Sequence, residues 1–316
     1  IKKIIFKIYM KRKIILYILI LILFFLNYKS TEIFNNSIDN MKLIFMGDCM
    51  FGRENHNFTL EPFINVIPLL KDASHIFLNL ETTISPKPLT DSDKEDKVFN
   101  YQSNGQHLLS LKKTIKKPIF TAIVNNHTLD YGIKGFENTK AFLKQNGFQY
   151  TVKQSIEKNN VVFMNATDHC GCNDKEFWAQ NMIMIDYNNL EPIYRKVRKY
   201  KNKFLVFSIH WGSNWVDGEM PKYIQEFGRG LIENGVNVVF GHSSHHIVQK
   251  PTEVYRDGII IYGLGDFIND YAVKKKYRSD EALIAIITRK GGKLSIETRK
   301  VKRQFVNDGG SIPFIV

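Results

Sequence analysis

The chain has 316 residues, 44% hydrophobic and 24% charged, which excludes a polymer too polar to build a core and fits one large α/β domain or two small ones. Its net charge of +13 splits into +5 from residues 1–40 and +8 from the rest, a balance that favours anionic partners: phosphate esters, polyanions or acidic lipids. Three cysteines exclude a disulfide framework, and no recognisable nucleic-acid-binding motif is present.

Lys11, Arg12 and Lys13 precede an unbroken apolar run from Ile14 to Leu26. The run is short against the roughly 20 residues of a full span, but Tyr28 and flanking lysines can extend it. The expectation is an uncleaved single-pass membrane anchor, its basic side cytoplasmic and the remainder extracytoplasmic. Residues 1–40 would then be anchor and linker, and residues 41–316 the folded domain.

From residue 42, short apolar runs alternate with amphipathic segments. Strands are predicted at 43–47 (LIFMG), 75–80 (HIFLNL), 119–124 (IFTAIV), 161–165 (VVFMN), 182–187 (MIMIDY), 204–210 (FLVFSIH) and 236–241 (VNVVFG). Helices are predicted in EPFINVIPLLKDA, IKGFENTKAFLKQNG and PKYIQEFGRGLIENG, the last two closed by Asn-Gly. Hairpins are expected around Asp257-Gly258 and around Gly291-Gly292. A parallel-type α/β half followed by antiparallel hairpins predicts two packed mixed sheets in one domain.

The ends of these strands carry one kind of chemistry. Asp48 follows LIFMG; Asn79 and Glu81 follow HIFL; Asn125, Asn126, His127 and Asp130 follow IFTAIV; His210 ends the next run, and His242 and His245 the last. In an α/β sheet the carboxyl ends of strands collect on one edge, so these groups can converge on one crevice. Aspartate, glutamate, asparagine and histidine without thiolate suit Mn²⁺, Fe or Zn²⁺ and are too many for one tetrahedral ion. Two divalent metal ions sharing a bridging carboxylate are the economical solution, and their usual chemistry is displacement at phosphorus by an activated water. A separate cluster, His169, Cys170 and Cys172 in HCGC, lacks a second ligand pair at finger-like spacing.

Six motifs, GDCMFGR, NLETTIS, VNNHTLDYG, SIHWGSNW, GHSSHHIVQKPTEVYRDG and IYGLGDFIND, together resemble the CapA family of poly-γ-glutamate capsule biosynthesis proteins, a branch of the calcineurin-like metallophosphatase fold. The resemblance covers about residues 42–290 and implies a four-layer α/β/β/α sandwich of two mixed sheets, here preceded by an N-terminal hydrophobic helix. It implies that Glu81 bridges two ions, that Asp48 and His245 bind the first, and that Asn126, His210 and His242 bind the second. His127 would act as general acid or transition-state donor, with Asp130 orienting its ring, and Arg53 would hold an anionic group or lie on the surface. Phe99 and Tyr101 would form the substrate-side wall.

The chain departs from the pattern in three places. The superfamily's Asp-x-His is here Asp48-Cys49-Met50. The doublet His245-His246 leaves two candidates for one inward imidazole, with His245 keeping the family spacing. Gly-Asn-Phe is here Gly265-Asp266-Phe267, where Asp266 either adds negative charge near the site or, the expectation preferred, caps a turn. Three functions follow from the resemblance and the residues: a metal-dependent hydrolase or transferase acting on an anionic capsule polymer beside capsule-synthase membrane subunits, a phosphoesterase on a small ester, or a non-catalytic polymer-binding subunit.

Overall fold

The computed structural model describes residues 10, 13–25, 38–52, 61–171, 174–305 and 311–316. Residues 1–39 and residues 40–316 form separate units. In the first, residues 13–25 are helical. Among the described residues no helix is long and apolar enough to cross a membrane, which corrects the expected transmembrane anchor and the extracytoplasmic placement built on it.

The second unit contains strands β1 (Lys42–Cys49), β2 (His75–Leu80), β3 (Thr83–Ile84), β4 (Gln102–Ser103), β5 (Ile119–Ala122), β6 (Gln149–Thr151), β7 (Ile156–Lys158), β8 (Val161–Thr167), β9 (Phe204–His210), β10 (Val238–His242), β11 (Thr252–Tyr255), β12 (Gly258–Ile261), β13 (Asp266–Ile268), β14 (Glu281–Lys290), β15 (Lys293–Phe305) and β16 (Ser311–Ile315). Its helices are α1 (Ile67–Lys71), α2 (Gln106–Thr114), α3 (Gly132–Gln145), α4 (Lys175–Asn181), α5 (Glu191–Val197) and α6 (Lys222–Glu233). One sheet runs β16-β15-β14-β1-β2-β5-β6, with β13 beside the end of β1; the other runs β11-β12-β10-β9-β8-β7. Both are mixed. β1, β2, β5 and β6 are parallel while β14 to β16 are antiparallel; β8, β9, β10 and β12 are parallel while β7 and β11 run against them.

Period-two alternation gives each strand two apolar faces, and each face has its own partner. Phe45, Phe77 and Phe120 are in register on β1, β2 and β5, so strand spacing stacks their rings, with centroids 4.5 and 4.9 Å apart. Phe240 and Phe163 of the other sheet meet this stack at 5.2 and 5.9 Å, which packs the two sheets face to face. The alternate residues Ile44, Ile76 and Leu78 join a core with Leu70 of α1, Leu108 of α2 and Phe136 of α3. Val162, Leu205 and Val239 do the same with Ile193 of α5 and Ile224 and Leu231 of α6. Phe77 touches both sheets, so Phe77→Ala is expected to cost about 3–5 kcal/mol in denaturant unfolding. A loss below about 1 kcal/mol would show that this ring layer does not hold the sheets together.

The Asn-Gly stops hold: α3 ends before Asn146 and Gly147 (φ 71°), and α6 before Asn234 and Gly235 (φ 102°). The Gly291-Gly292 turn joins β14 to β15, whereas the β11–β12 turn is Arg256-Asp257, one residue earlier than expected. EPFINVIPLLKDA is a 3₁₀ turn followed by the five-residue α1, because Pro68 stands in the first turn of the helix and cannot continue an earlier one. MIMIDY is not a strand. A tight Asn159-Asn160 turn brings β7 back onto the free edge of β8, and only Met184 bridges to Thr167 beyond it.

Candidate metal centre

The two sheets contribute different chemistry to one place. In the first, Asp48 lies in register with Asn79 of β2 on one side and Asp266 of β13 on the other. In the second, His210 and His242 are register partners at the ends of β9 and β10. Short side chains at the ends of parallel strands point into the crevice the strands open onto, so carboxylates and imidazoles face each other across the seam.

Asn79 organises the acidic half. Its Nδ2 donates to Asp48 Oδ1 at 2.9 Å and to Glu81 Oε2 at 3.0 Å, while Asn125 Nδ2 donates to Asn79 Oδ1 at 3.0 Å. Ser243 adopts φ 113°, a region that favours glycine, and its N–H donates to Asp48 Oδ2 at 3.2 Å. Burial and the neighbouring Asp266 push the Asp48 carboxyl up to about 7, against the opposing pull of Asn79 and His245. Glu81 rises well above the carboxylate range through burial and through Asp48 and Asp266. A site that strains to keep two carboxyls ionised is one a cation would relieve.

His245 points into this half, with Nδ1 2.8 Å from Asp266 Oδ1. Burial alone would lower it, but Asp266 and Asp48 carry it above its ordinary value. His246 turns away: its Nε2 accepts from the Val216 N–H at 3.1 Å and its Nδ1 donates to the Ile247 carbonyl at 3.0 Å. Donor atoms of Asp48, His245 and Asp266 lie within 4.8 Å of one another, all buried. Asp266 therefore belongs to the centre, which corrects its expected place in a turn. Glu81 stands outside that triad and joins it through Asn79.

On the other side His210 Nδ1 lies 3.0 Å from His242 Nδ1, and Ser208 Oγ lies 2.9 Å from His242 Nε2. Burial holds His242 down to about 3; burial, then His242, His169, His127 and His245, hold His210 well below the imidazole range. Both rings are thus neutral near pH 7, the form that binds metals. His210 Nε2 and Asn126 Oδ1 are buried without a hydrogen-bond partner, although buried polar atoms are rarely left so. An unpartnered imidazole nitrogen and an unpartnered amide oxygen are donors that a cation would satisfy, so these residues fit a bound metal.

His127 lies between the halves, its Nε2 3.8 Å from Glu81 Oε1 and its Nδ1 2.8 Å from Asp130 Oδ2. Burial lowers it, and Asp130 partly restores it. Asp130 also accepts the Tyr101 N–H at 2.6 Å and pairs with Lys97, whose Nζ donates to the Asn126 carbonyl at 2.8 Å. The Tyr101 ring sits 4.4 Å from His127, Tyr271 stands edge-on to His245 at 5.3 Å, and the two tyrosine hydroxyls are hydrogen-bonded to each other. Phe99 stacks on Tyr101. Arg53 and Cys172 lie outside the described residues; His169 is held by Asp168 at 2.5 Å, its ring 5.2 Å from His210. Lys97, Ser243 and Tyr271 escaped the sequence reading, which preferred a turn for Asp266. Lys97 closes a charged loop, and Asp266 follows a Gly-Leu-Gly step whose close approach to β1 is invisible in one dimension.

The family model described as "Bacterial capsule synthesis protein PGA_cap" matches residues 42–271. The chain is 27% identical over 278 residues to the PGA biosynthesis protein CapA of Bacillus subtilis (strain 168), covering 81% of this chain and 70% of that protein. It is 31% identical over 220 residues to a probable polyglutamine synthesis accessory protein of Mycobacterium tuberculosis, covering 61% of this chain and 55% of that protein. A solved structure described as a novel phosphatase from Mycoplasma pneumoniae overlays with a TM-score of 0.49 at 11% identity, covering 87% of this chain and 96% of that one; a likeness of that size bears on neither activity nor substrate. The match over residues 42–271 makes this chain a member of the bacterial capsule synthesis protein family PGA_cap.

Proposed function

We propose that this chain is a metal-dependent hydrolase or transferase that acts on an anionic capsule polymer, poly-γ-glutamate, during its synthesis or export, in company with capsule-synthase subunits. The observation that carries the reading is the meeting of buried carboxylates from one sheet with buried, neutral imidazoles from the other, where His210 Nε2 and the neighbouring Asn126 Oδ1 lack a hydrogen-bond partner. Asp48, Glu81 and His245 would hold one divalent ion and Asn126, His210 and His242 a second, in a metallophosphatase-like four-layer sandwich. Such ions polarise a phosphoryl or acyl oxygen and lower the pKa of a water.

The remaining residues bind and move protons. Asp130 fixes the His127 ring through Nδ1 and so presents Nε2 to the crevice, where, once it carries a proton, it can donate that proton to a leaving group, the amine nitrogen of a γ-glutamyl amide or the oxygen of an ester. Tyr101 and Phe99 give the leaving group's substituent an aromatic wall. The +8 charge of residues 41–316 draws a polyanion toward the domain.

Elemental analysis of the purified chain beside His242→Ala tests the metal reading. About two ions per chain, falling in the variant, are expected. One ion or none, unchanged by the substitution and by added Mn²⁺, would leave the third function, a polymer-binding subunit. That second reading is favoured by one observation, Met50 in place of the first-motif histidine. Rates that rise with polyglutamate chain length would separate the polymer from a small phosphoester.

A further inference from the structure

We propose that Asp266 is a direct donor to a divalent cation shared with Asp48 and His245. The proposal rests on the two-ion reading and adds to it one ligand.

Geometry comes first. The side chains of Asp48, His245 and Asp266 are 1%, 3% and 0% exposed, and one donor atom of each lies within 4.8 Å of the others. That is little more than the width of a coordination shell, about 4.2 Å for bonds of about 2.1 Å. Parallel pairing of β13 with β1 sets Asp266 and Asp48 side by side as Cα partners, so both carboxylates leave the sheet at one point. The pairing is built for close approach: a Cβ on Gly47 would stand 1.9 Å from the Gly265 carbonyl oxygen, and Gly265 itself has φ +78°. Each carboxylate is held by an amide, Asp48 by Asn79 and Asp266 by Asn269, and each oxygen keeps a second lone pair for another partner.

Charge points the same way. Asp48, Glu81 and Asp266 are buried together, and Arg303, which donates to the carbonyls of Asn269 and Ser279 and also acts on Asp266, is one cation beside three carboxyls. Grouped carboxylates out of water need cations, and a divalent ion is the most compact one. Two carboxylates and one imidazole, with Glu81 adjoining through Asn79, are donors that a divalent ion accepts.

The test is a titration. The purified chain, stripped of metal, is titrated with Mn²⁺, and its ions are counted by elemental analysis after dialysis. The wild type is expected to hold two. Asp266→Asn, which keeps the shape of the side chain, is expected to hold one and to bind the other at least about tenfold more weakly. Asp48→Asn should lose the same ion, so that Asp48→Asn with Asp266→Asn still holds one, whereas Asp266→Asn with His210→Ala holds none. An Asp266→Asn chain that keeps two ions at the wild-type affinity overturns this proposal and leaves the two-ion reading standing. A wild-type chain that binds no ion overturns both.

Discussion

His127→Ala is expected to lower metal-dependent turnover by about 10²–10⁴-fold while leaving the ion content of the chain unchanged. The imidazole is only 6% exposed, and its two nitrogens have separate tasks. Nδ1 is committed to Asp130, which in turn is anchored by the Tyr101 N–H and by Lys97. Nε2 is left facing Glu81 at 3.8 Å, too far for a hydrogen bond and open to a substrate oxygen. Alanine removes the proton donor and leaves Asp48, Glu81, His210, His242 and His245 in place. Steady-state rates on an aryl phosphate and on polyglutamate, measured with metal analysis of the same samples, check the split. Full activity in the variant would remove His127 from the chemistry; loss of ions along with activity would make it a ligand.

Gly47→Ala carries the second large effect, on stability and assembly together. The added methyl would lie 1.9 Å from the Gly265 carbonyl oxygen and 3.1 Å from its carbon, and a backbone carbonyl cannot swing aside as a side chain tip can. Either β1 or β13 must shift, which separates Asp48 from Asp266. The expected cost is about 3 kcal/mol or more, read as a lower denaturant midpoint, with the loss of an ion from the first position. A variant within about 0.5 kcal/mol of the parent, binding metal normally, would mean that the two strands do not need this contact.

Much of the site was legible because its strands are apolar on both faces and stop at a polar residue. Asp48, Asn79, His210 and His242 each sit where such a run ends, and the structure brings them to one seam. Asp266 was not legible for a physical reason: its strand has three residues, too few for a period, and its partner lies at the other end of the domain. The Ser243 turn was hidden too, since a serine with φ 113° follows from what surrounds it and not from its type. The anchor reading failed in the opposite way. Composition at 14–26 matches a membrane segment, yet among the described residues no helix is long and apolar enough to cross a membrane. At 182–187 the apolar pattern was real and went into the core as Met182, Ile183 and Ile185, while β7 pairs with residues 161–163 of β8 and only Met184 bridges to its end at Thr167.

The hydrogen bond from Ser243 to Asp48 joins residues 195 positions apart, and β1 acquires its flanking strand only from residues 281–290. During synthesis Asp48 and Glu81 therefore leave the ribosome well before His210, His242 and His245. Until β14 emerges, one edge of β1 is unpaired, a surface suited to chaperone capture or to misassociation with another nascent chain. A chain cut short before residue 281 would be unable to seal that edge, and quality control can tell it from the longer product by that edge.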